Sequence, residues 1–190
     1  LAVGRPGHTH DQPIVVGIDI YNLEADAYGA QIEVPGEDGI PAIHRPLCPS
    51  LEEAFELVPF DPARDGRIPM VIGVGRRLKE ALPEADVRIP VAGPFSLAFN
   101  LLGINQLLED VALRPRDVAR WLMQLAGNQA AFTQEVAARG LDVAFFESAA
   151  APPLLSPRQF HTVELPALRR ALELTASIVG HPVPCIMGGN

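Results

Sequence analysis

Residues 140–148 read Gly-Leu-Asp-Val-Ala-Phe-Phe-Glu-Ser. Apart from Asp142, the run Leu141–Phe146 is apolar, and it is bounded by glycine on one side and Glu147-Ser148 on the other. A short run of this kind predicts a strand buried on both faces, as in a parallel sheet. The segment before it, Pro115–Arg139, carries Val118, Leu122, Leu125, Ala126, Ala130 and Val136 at helical spacing, with Gly140 as the stop. That is a long amphipathic helix. The same pairing recurs outward in both directions. Upstream, Val87–Ala92 reads as a strand, Gly93-Pro94 as its turn and Phe95–Leu102 as a helix start. Further back, Ile14–Ile18 reads as a strand ending in Asp19, followed by a short helix, Leu23–Tyr28, closed by Gly29. Downstream, Ser156-Pro157 caps a helix to about Val163, a second helix spans Pro166–Val179 up to Gly180, and Val183–Met187 is the fourth strand. Strand and helix alternate throughout, so the expected fold is α/β, with parallel strands and crossover helices.

Between the first two strands, Gln31–Val34 reads as a further short strand and Gly36–Pro49 as a surface excursion. Ser50-Leu-Glu-Glu is a capping-box pattern opening a helix to about Leu57. Asp61-Pro62 offers an N-cap and N1 proline for a helix that begins properly near Pro69 and runs to Leu82. Residues 1–12 have no periodicity and read as a tail, leaving 13–190 as one domain. The chain begins with Leu and stops at Gly188-Gly189-Asn190, directly after a strand, so both ends read as cut.

Composition excludes several classes. The 190 residues contain 15 Lys+Arg against 23 Asp+Glu, a net charge of −8, which argues against a nucleic-acid partner. No run of 18 apolar residues exists, so a membrane span is not expected. Two cysteines, Cys48 and Cys185, do not make a disulfide scaffold and fit a reduced, cytoplasmic compartment. There is no GxxxxGK[ST] loop, and the one lysine, Lys79, falls in a helix away from any strand end. Nucleotide-triphosphate and Schiff-base chemistry both lose support.

In parallel α/β folds the carboxyl ends of the strands converge on one face, where ligands bind. Here those ends carry Asp19-Ile-Tyr-Asn22, Gly93-Pro94-Phe95-Ser96, Glu147-Ser148 and Gly188-Gly189-Asn190. Asp19 and Glu147 are the candidate catalytic carboxylates. Asn22, Phe95, Ser96, Ser148 and Asn190 are the candidate substrate-binding residues at these ends. A structural role competes for each: an N-cap for Asp19, a loop-binding carboxylate for Glu147, a helix-surface amide for Asn100. Glu24, Asp26 and Glu33 read as a solvated acidic face, and Trp121, Met123, Leu125 and Phe132 as core.

Four stretches resemble the uroporphyrinogen decarboxylase superfamily, which includes cobalamin:thiol methyltransferases. They are Asp19-Ile-Tyr-Asn-Leu-Glu-Ala-Asp-Ala-Tyr-Gly29, Val91-Ala-Gly-Pro-Phe-Ser-Leu-Ala98, Gly140-Leu-Asp-Val-Ala-Phe-Phe-Glu-Ser148 and Leu154-Leu-Ser-Pro-Arg-Gln-Phe160. The resemblance implies a (β/α)8 TIM barrel, a fold of about 250 residues or more, of which this chain holds roughly four βα units. It implies that Asp19 lies near the aspartate that holds tetrapyrrole N–H groups in the decarboxylases. It also implies that Asn100 stands where those enzymes place a substrate-contacting tyrosine, which makes Asn100 a further candidate substrate-binding residue. In the thiol methyltransferases the fourth strand carries a His-x-Cys zinc pair. Aligned without a gap, those places are Ile186 and Gly188, so no metal site is expected.

Three readings follow. The resemblance to the Glu24-to-Gly29 segment implies a methyltransferase-like enzyme of the corrinoid-dependent branch. Methylcobalamin is then a co-substrate and a corrinoid protein a partner. The second reading is a uroporphyrinogen decarboxylase of porphyrin biosynthesis, a carboxy-lyase using Asp19 on its tetrapyrrole without a cofactor. The third is a barrel that binds ligand but has lost its chemistry. Open sheet edges in a four-unit piece also predict association, such as a homodimer.

Overall fold

The computed structural model describes residues 13–17, 21–34, 36 and 41–188. Four strands form one sheet in chain order: β1 (Ile14–Val15), β2 (Val87–Ala92), β3 (Asp142–Glu147) and β4 (Cys185–Met187). Every neighbouring pair is parallel. Sequential parallel order with a helical crossover at each step is the arrangement of a partial (β/α)8 barrel, as the alternation predicts. The tail at 1–12, the strand end at Asp19 and the terminal Asn190 lie outside the described residues.

The first crossover contains α1 (Leu23–Ala27), α2 (Leu51–Phe55) and α3 (Ile68–Ala81). The Ser50 hydroxyl accepts from the Glu53 N–H at 3.3 Å, so the capping residue acts as read. Asp61-Pro62 starts no helix. Its carboxylate accepts from the Ala63 N–H and the Arg64 guanidinium in a local turn, and α3 starts only at Ile68. Side chain-to-backbone bonding of this type competes with helix propagation. Residues 31–34 form no strand beyond an isolated antiparallel bridge from Glu33 to Ala42.

The second crossover is longer than the sequence suggests. It contains α4 (Pro94–Leu102), α5 (Ile104–Leu113) and α6 (Pro115–Ala138). The third contains α7 (Pro157–Gln159), a π-helical turn (Phe160–Glu164) and α8 (Leu165–Val179). The two helices expected here are therefore one continuous run, because the extra residue of the π turn absorbs the mismatch. Pro166 follows the π turn directly and, lacking an N–H, leaves one helical hydrogen bond unmade at that junction.

The sheet's helix-facing side is set by close packing. A methyl added at Gly75 of α3 would stand 2.9 Å from Ile89 Cδ1 and 3.0 Å from Leu141 Cδ1. Ile89 therefore faces α3, and alternation places Val87 and Val91 with it. Register carries the pattern across the sheet. Val91, Phe145 and Cys185 are lateral partners on the helix side, and Ala92, Phe146 and Ile186 on the other. α6 buries Val118, Trp121, Leu122, Leu125, Phe132 and Val136, packing chiefly against α8 and also against β3. Each such side chain stabilises by roughly 1.5–3 kcal/mol. Met123, read as core, is 41% exposed, because its position on α6 turns it to water. On the non-helix side Ile186 of β4 is 50% exposed.

Candidate functional site

The strand ends meet around one buried carboxylate. Glu147, the last residue of β3, is fully buried. Its Oε2 accepts from the N–H groups of Phe95 and Ser96 at 3.1 and 3.2 Å. Its Oε1 accepts from Ser96 Oγ at 2.5 Å and from the Ala150 N–H at 3.3 Å. The carboxylate thus caps the free N-terminus of α4, whose N-cap is Gly93 and which has no cap from its own chain segment. Ser96 Oγ in turn accepts from the N–H groups of Ser148 and Ala149, both at 3.1 Å. One serine and one glutamate tie the ends of β2 and β3 together.

Gly93 is the condition for this. A Cβ there would lie 2.1 Å from Glu147 Oε2 and 2.7 Å from its Cβ and Cδ. The glycine in the Gly93-Pro94-Phe95-Ser96 turn is needed to admit Glu147, not to bend the chain, since its φ is −65°.

A second carboxyl group stands against the first. Glu164, at the end of the π turn, is fully buried, and neither oxygen makes a hydrogen bond of normal geometry with a described residue. Burial and the neighbouring Glu147 charge push its pKa well above the usual carboxylate range. Burial also raises Glu147, opposed by the hydrogen bonds from Ser96. Charge on the pair is better supported at Glu147, which has four donors, than at Glu164 beside it. Cys185 of β4 lies beside them, its thiol pushed up to about 11 by burial first and then by the two glutamates.

Glu24 of α1 is buried too, not part of a solvated acidic face. It accepts from the Ala92 N–H at 2.6 Å and from Gln129 Nε2 at 2.7 Å. Gln129 Nε2 also donates to the Ala92 carbonyl at 2.7 Å. These side chains satisfy the backbone of Ala92 on its β1 side. Desolvation raises Glu24 to about 7, against both hydrogen bonds. Asp26, by contrast, pairs with Arg67 at 2.9 Å.

The expected binding residues divide into two groups. Phe95 and Ser96 are buried beneath the opening, and Ser148 is half-buried at its edge. Asn22 donates from Nδ2 to the Pro41 carbonyl at 2.8 Å. Asn100 donates from Nδ2 to the Tyr21 carbonyl at 2.5 Å, which ties α4 to the segment after β1. It does not lie on a helix surface. Asn100 also lines a cleft of about 450 Å³ between residues 43–49 and the α4–α5 junction. Asp19 and Asn190 lie outside the described residues. Among the described residues no group of three His, Cys, Asp or Glu side chains is arranged to hold a metal. Ile186 offers no donor atom and Gly188 no side chain, so a His-x-Cys zinc pair does not fit here. Glu164 and Gln129 were not legible as site residues. The one signal was a polar side chain on an otherwise apolar helix face.

Residues 11–187 match the family described as Uroporphyrinogen decarboxylase (URO-D). The chain belongs to this family. Within it, the Gly93-to-Ser96 turn and the Glu147-Ser148 strand end are the two resembling stretches that the Glu147 carboxylate joins. Among solved structures the chain is similar to a methyltransferase from Methanosarcina mazei, with a TM-score of 0.79 and 21% sequence identity. The match covers 94% of this chain and 52% of that one, so the chain spans about half the length of that protein. No curated protein matches the chain. Among the described residues no helix is long and apolar enough to cross a membrane.

Proposed function

We propose that this chain supplies the methyl-donor side of a corrinoid-dependent methyltransferase of the uroporphyrinogen decarboxylase family. The observation that carries the reading is the chemistry of the cleft at Asn100. Its polar side chains are the amides of Asn100, Asn105 and Gln106 with His44 and Cys48, and among the described residues neither lysine nor arginine lines it. A uroporphyrinogen bears carboxylates around its ring and calls for cations. A corrinoid bears mostly neutral carboxamides and does not. Asn100 also cannot act as a phenolic acid or base, and its amide is tied to the Tyr21 carbonyl.

The residues take complementary parts in this reading. Glu147 is a positioning residue: it fixes α4 and, through Ser96, the N–H groups of Ser148 and Ala149 at the edge of the opening. Asn100 lines the cleft, and Asn22, Ser148, Asp19 and Asn190 are assigned to the strand ends from sequence. The chain has no zinc pair at Ile186 and Gly188, so thiol activation is not assigned to it. Bound methylcobalamin would supply a methyl group to a thiol, with the cobalt–carbon electron pair left on the corrinoid and the thiol proton released to solvent.

The test is methyl transfer from methylcobalamin to a panel of thiols by the intact protein, read by the visible spectrum of the corrinoid. The expected result is thiol-dependent loss of the methyl–cobalt band. Formation of coproporphyrinogen from uroporphyrinogen, with no methyl transfer, would replace this reading with the decarboxylase.

A further inference from the structure

A second cleft, of about 830 Å³, opens between the α5–α6 junction and the start of the third crossover. Arg116 in the first turn of α6 and Arg158 of α7 both line it, and both are exposed. Neither forms an ion pair with a described residue. Arg114 and Arg120, on either side of Arg116, are each paired, to Asp110 at 2.5 Å and to Asp117 at 3.3 Å. The carboxylate next to Arg116 in sequence is therefore turned to another partner. Among the described residues no aspartate or glutamate lines the cleft, in a chain that has 23 of them.

Beside the arginines, Gln159 has spent its acceptor and kept its donors. Its Oε1 accepts from the Ser156 N–H at 3.0 Å and from Ser156 Oγ at 2.7 Å. Ser156 Oγ accepts in return from the Gln159 N–H at 3.3 Å. This reciprocal cap fixes the amide and leaves Nε2, with two N–H groups, as its open end among the described residues. Thr162 Oγ1 donates to the Arg158 carbonyl at 2.9 Å, which steadies the backbone that carries that guanidinium. The cleft thus presents two guanidiniums and an amide NH2, a set of donors that calls for an oxygen-rich anion. Val111, Pro115 and Ala119 supply an apolar wall. The volume falls within the range of small-molecule sites.

We propose that this cleft binds a small phosphate monoester, at a site separate from the cleft at Asn100 and independent of the methyltransferase reading. Arg116 and Arg158 donate to phosphate oxygens, Gln159 Nε2 donates to another, and the organic group lies along Val111, Pro115 and Ala119. Two guanidiniums match the two charges that a phosphate monoester carries above its second pKa of about 6. A monocarboxylate would leave one guanidinium uncompensated, and a neutral molecule would leave both. The bound ligand joins α6 to α7, and so the second crossover to the third.

The experiment is isothermal titration calorimetry of the intact protein near neutral pH with phenyl phosphate, benzoate and phenol. We expect phenyl phosphate to bind about tenfold more tightly than benzoate, and phenol not to bind. Arg116→Gln and Arg158→Gln should each weaken phenyl phosphate about tenfold, a factor equal to ~1.4 kcal/mol. Arg77→Gln, at an exposed arginine of α3 outside the cleft, should leave it unchanged. All three side chains are exposed, so the variants should unfold at the wild-type urea midpoint, and a loss of binding then reads the site and not the fold. Added salt should weaken phenyl phosphate in the wild type. Benzoate binding as tightly as phenyl phosphate, an equal loss in Arg77→Gln, or no binding of phenyl phosphate overturns the proposal. A phosphoserine peptide that binds more tightly than phenyl phosphate overturns the assignment to a small molecule.

Discussion

Substituting Gly93 by alanine tests the joint between the two family-like stretches. Gly93 has φ −65° and ψ 155°, which alanine adopts freely, so any effect comes from contact alone. The new methyl would stand 2.1 Å from Glu147 Oε2. Glu147 is fully buried. Its carboxylate must withdraw from the start of α4, releasing the N–H groups of Phe95 and Ser96. Hydrogen bonds to a charged group contribute about 1.5–3 kcal/mol each. Losing two of them in a dry site gives a destabilisation of roughly 3–5 kcal/mol, the scale of breaking a buried charged pair. That is a large part of the ~5–15 kcal/mol available to a domain. The assay is urea unfolding followed by circular dichroism, with Gly127→Ala as control. Gly127 lies exposed within α6, and a Cβ there meets nothing within 4 Å. The control should gain about 0.5–1 kcal/mol from helix propensity. A Gly93→Ala midpoint equal to wild type, with unchanged slope, would refute the claim that Glu147 fills the space a side chain would need.

Ser96→Ala removes the hydroxyl that donates to Glu147 and accepts from Ser148 and Ala149. It should cost about 2–3 kcal/mol and speed hydrogen exchange at the 148 and 149 amides more than elsewhere. Glu24, raised to about 7, binds its proton more tightly folded than unfolded. Its stabilising contribution is therefore complete below about pH 4.5 and is lost as pH rises to about 7. The loss is roughly 3 kcal/mol for a shift of this size, and Glu24→Gln should flatten the unfolding free energy across that window. Glu164 is raised as well, so its contribution also falls with rising pH, and Glu164→Gln should make the protein more stable than wild type in alkaline buffer. An unchanged pH profile in that variant would show that the proton of the carboxyl pair resides elsewhere.

The buried strands at Val87–Ala92 and Asp142–Glu147 were legible because both faces are covered where they run deepest, so Ile89–Ala92 and Val143–Phe146 read as apolar runs. α6 was legible through its one-sided periodicity and its bounding Pro115 and Gly140. α5 was not, because only Gly103 separates it from α4 and the apolar pattern runs across the break. The π turn was invisible too: a single extra residue shifts the period without leaving a composition signal. Met123 looked like core because residue type alone does not show which way a helix is turned.

Alternation, glycine stops and short apolar runs are local properties, and they determined by themselves that parallel strands and crossover helices would form and which turns would lie at the strand ends. They also marked Glu147, Ser148 and Ser96 as residues of interest, and the family resemblance added Asn100. Distances decided what those residues do. Glu147 caps α4 across 51 and 52 residues of chain to Ser96 and Phe95, and Asn100 reaches Tyr21 across 79. Whether a buried carboxylate meets donors, another carboxyl group or a ligand depends on which segments pack beside it. That depends on the whole core, and no local pattern in the sequence encodes it.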